Sequence, residues 1–233
     1  MTFTSNHFFQ RPDATRFSPG DRVWGTNQGL VGRQGTFAEY SAVDECWLYP
    51  TPEGVEDATA AACALVGVTA HLGLFREADL QAGETVFVHG GTGGVGSMVL
   101  QMAKAAGARV IATAGSAEKC KFCEEAGASR AINYKEEDWE AVVKDHTGGK
   151  GVDVVLDIVA GTYVSKNLNL LARDGRYASL ALLGGAKAEI NMGRILRQRI
   201  TLSGSTLRPQ TTSEKASIAA KLKSEVWPLF EKG

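Results

Sequence analysis

Three glycines, Gly91, Gly93 and Gly96, have the spacing G-x-G-x-x-G between the apolar run "TVFVHG" and the helix-like run "GSMVLQMAKAAGA". In a strand–turn–helix unit, the first glycine permits a tight turn and the second lets the backbone approach a pyrophosphate. The third lets the helix pack closely on the strand, and the helix N-terminus offers free N–H groups. The pattern predicts a nucleotide-binding turn, although glycine-rich turns also form for backbone reasons alone.

The segment after the next strand favours NADP(H) over NAD(H). That strand ends "ATAGS", without the Asp or Glu that usually binds the ribose hydroxyls of NAD. Lys119 falls in the first turn of the following helix, where the helix dipole disfavours a cation unless a phosphate is bound there. Ser116 would cap that helix and donate a hydrogen bond to a ribose 2′-phosphate, and Tyr134 would lie beside this pocket if the strand order is 3-2-1-4-5-6. The alternative is that Lys119 and Tyr134 are ordinary surface residues.

Other patterns do not add up to a catalytic or metal site. Cys120 and Cys123 form C-x-x-C on a predicted helix, but no second ligand pair is available for zinc. Tyr163 and Lys166 are three residues apart, not the four of the Tyr-x-x-x-Lys dyad of short-chain dehydrogenases.

No side chain is predicted to act as an acid or base. His89, Asp153 and Asp157 are interpreted as structural residues at strand ends, and no G-x-S-x-G sequence occurs. This pattern suits hydride transfer, in which a cofactor carries the chemistry and the protein positions it.

The elements that position these residues alternate along the chain. Apolar strand-like runs begin near residues 85, 109, 131, 151, 176 and 199, with helical patterns between the first five. The helical patterns cover residues 96–108, 116–128, 136–149 and 163–175. Such alternation predicts an α/β fold with a doubly wound parallel sheet of the Rossmann type, covering residues 78–207.

The flanking sequences differ from this pattern. "GDRVWG", "GTFAEYSAV" and "CWLYPTPEG" are short and strand-like, and residues 56–79 indicate one or two alanine-rich helices. Residues 213–233 indicate a final helix, and both ends suggest a truncated chain.

Composition limits the partners and the compartment. The 233 residues carry a net charge of -1, which gives no reason to expect nucleic acid or an anionic membrane. The sequence is interpreted as having no apolar run of 18 residues, so no membrane span is predicted, and the N-terminus does not resemble a secretory signal. Four cysteines are too few for a disulfide framework and indicate the cytoplasm.

Taken in order, the motifs resemble those of a known family. "GDRVWG", "GTFAEY", "PTPEG", "ATAAACALVGVTAHLGL", "AGETVFVHGGTGGVGSMVLQMAKAAGA", "GTYVSKNLNLLARDGRYASLALLGG" and "TLSGSTL" occur in the order seen in zinc-free, zeta-crystallin-like quinone oxidoreductases. These belong to the medium-chain dehydrogenase/reductase superfamily. The resemblance implies a partial GroES-like catalytic domain with connecting helices over residues 1–77. It also implies an NADP-binding Rossmann domain over 78–207 and a helix over 208–233 that leads back toward the catalytic domain.

The resemblance also implies an activity, a cofactor and a set of binding residues. The activity is NADPH-dependent, metal-independent reduction of quinones or other α,β-unsaturated carbonyls, in a homodimer formed through the last Rossmann strand. It implies no catalytic side chain. The positions matching the family's cofactor contacts are Thr69, Gly93, Gly94, Val95, Gly96, Gly115, Ser116, Lys119, Tyr134, Leu180, Ala181 and Leu182, and the glycine pattern adds Gly91 to the predicted cofactor-binding residues.

Two other functions stay open at this point. An enoyl-thioester reductase of the same superfamily would share the fold and the cofactor site and would differ in the acceptor that it reduces. A catalytically weak NADPH-binding protein would share the cofactor site but have an incomplete substrate cleft.

Overall fold

The protein is described by a computed structural model covering residues 3–5, 14–26, 32 and 34–230. The chain divides into two compact units. One is formed by Thr69–Thr206, and the other by Met1–Val68 together with Leu207–Gly233.

A six-stranded parallel sheet forms the centre of the Thr69–Thr206 unit. Its strands are β4 (Thr85–Val88), β5 (Arg109–Ala114), β6 (Arg130–Asn133), β7 (Val152–Asp157), β8 (Leu171–Ser179) and β9 (Thr201–Gly204). They lie in the order β6-β5-β4-β7-β8-β9, and every neighbouring pair is parallel. Counted from β4, this is the order 3-2-1-4-5-6, so the predicted doubly wound α/β sheet is confirmed.

Helices connect these strands. They are α2 (Gly94–Ala105), α3 (Ala117–Glu125), α4 (Trp139–His146), α5 (Tyr163–Leu170) and α6 (Met192–Gln198). Ser116 and Asp138 cap α3 and α4 by accepting backbone N–H groups, as expected for these residue types. The core between helices and sheet includes the fully buried side chains of Phe87, Ile111 and Val155, which explains the near-continuous apolar runs of the central strands.

The end of α5 corrects one prediction. The sequence pattern predicts a helix through Gly175, but the helix ends at Leu170 and β8 begins at Leu171. The register of β8 on β7 shifts within this stretch, and Asp174 has a φ of 63°. A β-carbon on Gly175 would lie 2.9 Å from the carbonyl oxygen of Ala172, so the chain folds back tightly on itself here. A bulged strand start was therefore mistaken for the last turn of a helix.

The sequence pattern predicts no helix at α6, because this helix has only seven residues and none of them is buried, although Met192, Ile195 and Leu196 have helical spacing. Arg194 anchors it. The guanidinium donates to three carbonyl oxygens around the end of α5, those of Leu168 (2.8 Å), Asn169 (2.8 Å) and Leu171 (2.9 Å). These are carbonyls that a helix terminus leaves without intrahelical partners.

The second unit contains a small antiparallel sheet. Its strands β1 (Phe3–Ser5), β2 (Val23–Gly25) and β3 (Leu48–Pro50) lie in chain order. The Trp24 ring is buried and stacks on Tyr49 at 4.8 Å. The C-terminal helical segment consists of α7 (Thr212–Lys221), a π-helical stretch (Leu222–Val226) and α8 (Trp227–Phe230).

One strand predicted for this unit is wrong. Residues 35–43, "GTFAEYSAV", form bends and irregular structure, not a strand. Phe37 is 96% exposed and Tyr40 is 69% exposed, so the aromatic residues that suggested a half-buried strand face no core.

Helix α1 (Asp57–His71) continues as a π-helical stretch, Leu72–Glu77. Together they make one helix, Asp57–Glu77, long and apolar enough by length and composition to cross a membrane. This corrects the prediction that the sequence has no apolar run of 18 residues. Over half of its apolar window is buried inside the protein, as in a core helix, and one such helix is weak support for a membrane span.

Candidate dinucleotide-binding site

The predicted cofactor residues of the Rossmann sheet follow the carboxyl ends of its strands. Because all six strands are parallel, these ends lie along one edge of the sheet. The connections after β4 and β7 leave in opposite directions along the strand order, which makes the gap between them the topological switch point. In open α/β sheets, ligands bind in the crevice at such a point.

The glycine turn lies directly after β4, and its glycines are required by close packing. A β-carbon on Gly91 would lie 2.7 Å from Cys123 Sγ, and one on Gly96 would lie 2.2 Å from the carbonyl oxygen of Gly90. Gly93 is exposed, with 3.3 Å between its notional β-carbon and the same carbonyl. The turn is thus packed tightly on α3 and β5 at Gly91 and on itself at Gly96, while Gly93 faces outward.

Helix α2 begins immediately after this turn. Gly93 is its N-cap residue, with an extended backbone, and Gly94 and Val95 form the start of the first turn. Gly94 is exposed and Val95 is half-buried. The first N–H groups of a helix have no intrahelical acceptor, and the helix dipole makes this end electropositive. This arrangement suits an anionic group at the switch point.

At the end of β5, the residues predicted to contact the 2′-phosphate come together. Ser116 Oγ accepts the backbone N–H of Lys119 at 3.3 Å, so the serine caps α3 and its hydroxyl can still donate. Lys119 is exposed. A β-carbon on Gly115 would lie 3.1 Å from Tyr134 Oη, so the tyrosine ring lies directly against this glycine. Tyr134 therefore borders the turn after β5, as the strand order predicted.

The residues predicted to face the nicotinamide lie after β8 and in α1. Leu180 is buried, and its side chain occupies the space beside Gly73, where a β-carbon would be 2.6 Å away. Ala181 is half-buried and Leu182 is 58% exposed. Thr69 is half-buried and lies one helical turn before Gly73, on the same side of the helix. The loop after β8 thus packs against the helix that carries Thr69.

Sequence reasoning missed a chain of buried polar groups beneath this edge. His89 Nε2 lies 2.8 Å from Asn167 Oδ1, and His89 Nδ1 lies 3.2 Å from Thr113 Oγ1. Asn167 Nδ2 donates to Asp157 Oδ2 at 2.9 Å, and Tyr177 Oη donates to the same oxygen at 2.7 Å. All five residues are buried. An asparagine three residues after Val164, on the apolar side of α5, was the available signal.

Asp157 also shapes the turn after β7. Its Oδ1 accepts the backbone N–H groups of Val159 (2.6 Å) and Ala160 (3.0 Å). Ala160 has a φ of 58°, a left-handed conformation that this pair of hydrogen bonds helps to hold. Asp157, interpreted from the sequence as a simple strand-end acid, is thus fully buried and accepts hydrogen bonds from four groups.

Burial sets the protonation of this polar chain. It lowers the pKa of His89 below its ordinary value of 6.5, against the opposing effects of Asn167 and Asp157. The imidazole is therefore neutral at pH 7. Burial, reinforced by the hydrogen bond to Asp157, raises the pKa of the Tyr177 phenol, which stays protonated and acts as a donor.

The two C-x-x-C cysteines differ in burial, and Cys123 is the one that serves packing. Cys123 is fully buried below Gly91, and burial raises the pKa of its thiol to about 11. Cys120 also has a raised pKa, again mainly through burial. Among residues 3–5, 14–26, 32 and 34–230, no group of three or more His, Cys, Asp or Glu side chains is placed to hold a metal ion.

Comparison with known proteins gives a consistent family. The model of the family described as "Zinc-binding dehydrogenase" matches residues 94–222. Quinone oxidoreductase from Homo sapiens is 32% identical over 212 residues, which is 91% of this chain and 63% of the relative. A segment of erythronolide synthase EryA2 from Saccharopolyspora erythraea is 35% identical over 219 residues, 83% of this chain and 6% of that protein.

Solved structures share the fold. The Escherichia coli quinone oxidoreductase complexed with NADPH has a TM-score of 0.79 and 29% identity, and the match covers 91% of this chain and 64% of that one. An alcohol dehydrogenase superfamily protein from Novosphingobium aromaticivorans has a TM-score of 0.83 and 30% identity, and the match covers 96% of this chain and 67% of that one.

The present chain spans about 63% of the length of the human relative. The family model covers more than half of the chain, and the parallel sheet, the glycine turn and the relatives agree with it. The described residues do not supply the ligand set that the family's description would suggest for zinc. The chain belongs to the zinc-binding dehydrogenase family, within the medium-chain dehydrogenase/reductase superfamily, and is similar to its quinone oxidoreductases.

Proposed function

We propose that the protein binds NADPH at the carboxyl edge of its parallel sheet and reduces quinones or other α,β-unsaturated carbonyls by hydride transfer. The observation that carries this proposal is the turn after β5. It ends without a carboxylate, and it combines the capping Ser116, the exposed Lys119 and the Gly115–Tyr134 contact. These groups suit a ribose 2′-phosphate better than free ribose hydroxyls.

The pyrophosphate would be held by the glycine turn and the start of α2. Gly93, Gly94, Val95 and Gly96 would bring backbone N–H groups to the phosphate oxygens. Exposure of Gly93 and Gly94 supports a close approach of the ligand to the backbone. Gly91 and Gly96 would act indirectly, because their packing keeps the turn in shape.

The adenosine 2′-phosphate would lie between α3 and the end of β6. Ser116 would donate its hydroxyl, and the Lys119 ammonium would supply a counter-charge. Tyr134 would cover one side of the pocket, in contact with Gly115. Lys119 forms no ion pair with any other residue in the part of the chain that the structure describes, which supports a ligand role.

The nicotinamide would lie against Leu180, Ala181 and Leu182, with Thr69 nearby on α1. When bound, NADPH supplies a hydride to an electron-poor carbon of the acceptor. The protein's task is then to orient the ring and to exclude water, which the apolar loop after β8 supports. We propose no catalytic acid, base or metal for this step.

We further propose a cytoplasmic homodimer that pairs through β9. This strand ends the order of the parallel sheet, and Leu202 within it is 40% exposed. An edge strand with an exposed apolar side chain is suited to pairing with a second copy. The four cysteines are free thiols, which fits a reducing compartment.

One alternative is supported by a specific observation. Segments of two large synthases, erythronolide synthase EryA2 and the phthioceranic/hydroxyphthioceranic acid synthase of Mycobacterium bovis, are 35% and 36% identical to this chain. An enoyl-thioester reductase would use the same cofactor site with a different acceptor. The third candidate, a weakly catalytic NADPH-binding protein, would keep only the binding step.

Oxidation of NADPH, followed by its absorbance, distinguishes these functions. We expect turnover with 1,4-benzoquinone and little with a crotonyl thioester. The opposite preference would favour the enoyl-thioester reductase. Saturable quenching of NADPH fluorescence without oxidation by either acceptor would favour the binding protein, and no binding at all would refute the proposal.

A further inference from the structure

The buried polar chain under the glycine turn has only one consistent order of protons. Four donors converge on the Asp157 carboxylate, among them Asn167 Nδ2 and Tyr177 Oη. Because the Asn167 amide nitrogen faces Asp157, its Oδ1 faces His89 and must accept from Nε2–H. His89 Nδ1 is then an acceptor, since a neutral imidazole carries one N–H, and it receives the Thr113 hydroxyl proton.

Thr113 is the member of this hydrogen-bonded series that contacts the glycine turn. Its Oγ1 accepts the backbone N–H of Gly90 at 3.2 Å. Its carbonyl oxygen accepts the N–H of the next residue, Gly91, at 2.9 Å. One residue of β5 therefore holds two successive amides of the turn, and its side chain is 1% exposed.

We propose that Thr113 is a positioning residue for the dinucleotide. It fixes the Gly90–Gly91 backbone, and through His89 and Asn167 it ties the turn to the Asp157 carboxylate at the start of the turn after β7. The inference rests on the proposed function, because it assumes that this turn binds the cofactor pyrophosphate. Gly90 has a φ of 67°, in the left-handed region. Among residues 34–230, Thr113 is the only residue whose side chain accepts the Gly90 N–H.

The hydroxyl is the part of Thr113 that carries this role. Valine has nearly the same shape, so Thr113→Val keeps the packing of β5 but leaves Gly90 N–H and His89 Nδ1 without partners. Serine keeps the hydroxyl. Because the pyrophosphate is common to both nucleotides, loss of the hydroxyl should weaken NADPH and NADH equally, unlike a change at Ser116 or Lys119.

The test compares Thr113→Val and Thr113→Ser with the control Thr85→Val, a threonine 4% exposed at the opposite end of β4. NADPH and NADH dissociation constants are measured by fluorescence, and unfolding is measured in urea. We expect Thr113→Val to weaken both nucleotides about tenfold, because a turn that is no longer held in place would lose about one hydrogen bond to the charged pyrophosphate. Thr113→Ser should remain within about twofold of the wild type, and Thr85→Val should leave both constants unchanged.

Several results would overturn the inference. They are wild-type affinity in Thr113→Val, a loss in Thr113→Ser as large as that in Thr113→Val, or a loss confined to NADPH. If Thr113→Val does not fold, Thr113→Ala against Thr113→Ser gives the same comparison, because the two differ by the hydroxyl. A wild-type protein that binds neither nucleotide refutes the proposed function and this inference with it. Wild-type binding with no effect at Thr113 refutes the inference alone.

Discussion

Charge reversal at Lys119 tests the proposed 2′-phosphate pocket. Lys119 is exposed in the first turn of α3, whose cap is Ser116. A unit charge within about 4 Å of another interacts by about 1 kcal/mol in water, and a phosphate carries nearly two charges at pH 7. Changing +1 to -1 would then alter the interaction by up to about 4 kcal/mol. Salt screening and the mobility of an exposed side chain reduce this to about 1–3 kcal/mol.

The assay is a fluorescence titration of wild type and Lys119→Glu with NADPH and with NADH. We expect Lys119→Glu to weaken NADPH about 5- to 150-fold and to change NADH little, because NADH lacks the 2′-phosphate. Lys121→Glu is the matched control. Lys121 lies two residues further along α3, faces another direction and pairs with Glu125 at 3.8 Å. An unchanged ratio of the two affinities in Lys119→Glu, or the same loss in Lys121→Glu, would refute the assignment.

Three further predictions concern packing, pH and assembly. Gly96→Ala should lower the free energy of unfolding in urea by about 1–3 kcal/mol, because the new β-carbon would meet the carbonyl oxygen of Gly90. Gly93→Ala should reduce nucleotide affinity more than stability, and equal stabilities of the two variants would contradict this. Because burial lowers the pKa of His89 in the folded protein, its stabilising effect is complete above pH 6.5 and is lost as the pH falls below that value. The free energy of unfolding of the wild type should therefore fall by up to about 1.4 kcal/mol per pH unit relative to that of His89→Gln. Parallel plots of stability against pH for the two proteins would contradict this. Leu202→Lys in β9 should convert a dimer to a monomer in sedimentation, and an unchanged mass would place the interface elsewhere.

The parts of the fold that were predicted have strong local signals. The parallel strands are apolar because both faces of the sheet are covered, and Gly91 and Gly96 mark the turn because nothing larger fits there. The capping role of Ser116 is equally local, since it depends on the three residues that follow.

The features that were missed depend on distant partners. Helix α6 has no buried residue and is held by Arg194, whose acceptors lie more than 20 residues earlier. The residues 171–175 were assigned to a helix because their bulged pairing with β7 leaves no mark on apolar periodicity. Asn167 and Asp157 form their hydrogen bond only after α5 packs on the sheet, so neither could be linked to His89 from spacing.

The exposed aromatic residues of the smaller unit show the opposite error. Phe37 and Tyr40 are residue types that favour strands, yet both are exposed, because a strand-like run forms a strand only where a core or a partner strand is available to it.

A crystal structure of the protein with NADPH would test the central claim most directly. The account predicts the pyrophosphate at the N–H groups of Gly93–Gly96. It also predicts the 2′-phosphate within hydrogen-bonding distance, about 3 Å, of Ser116 Oγ and the Lys119 ammonium. A nucleotide bound away from the glycine turn, or a 2′-phosphate that points to solvent away from Ser116 and Lys119, would contradict it.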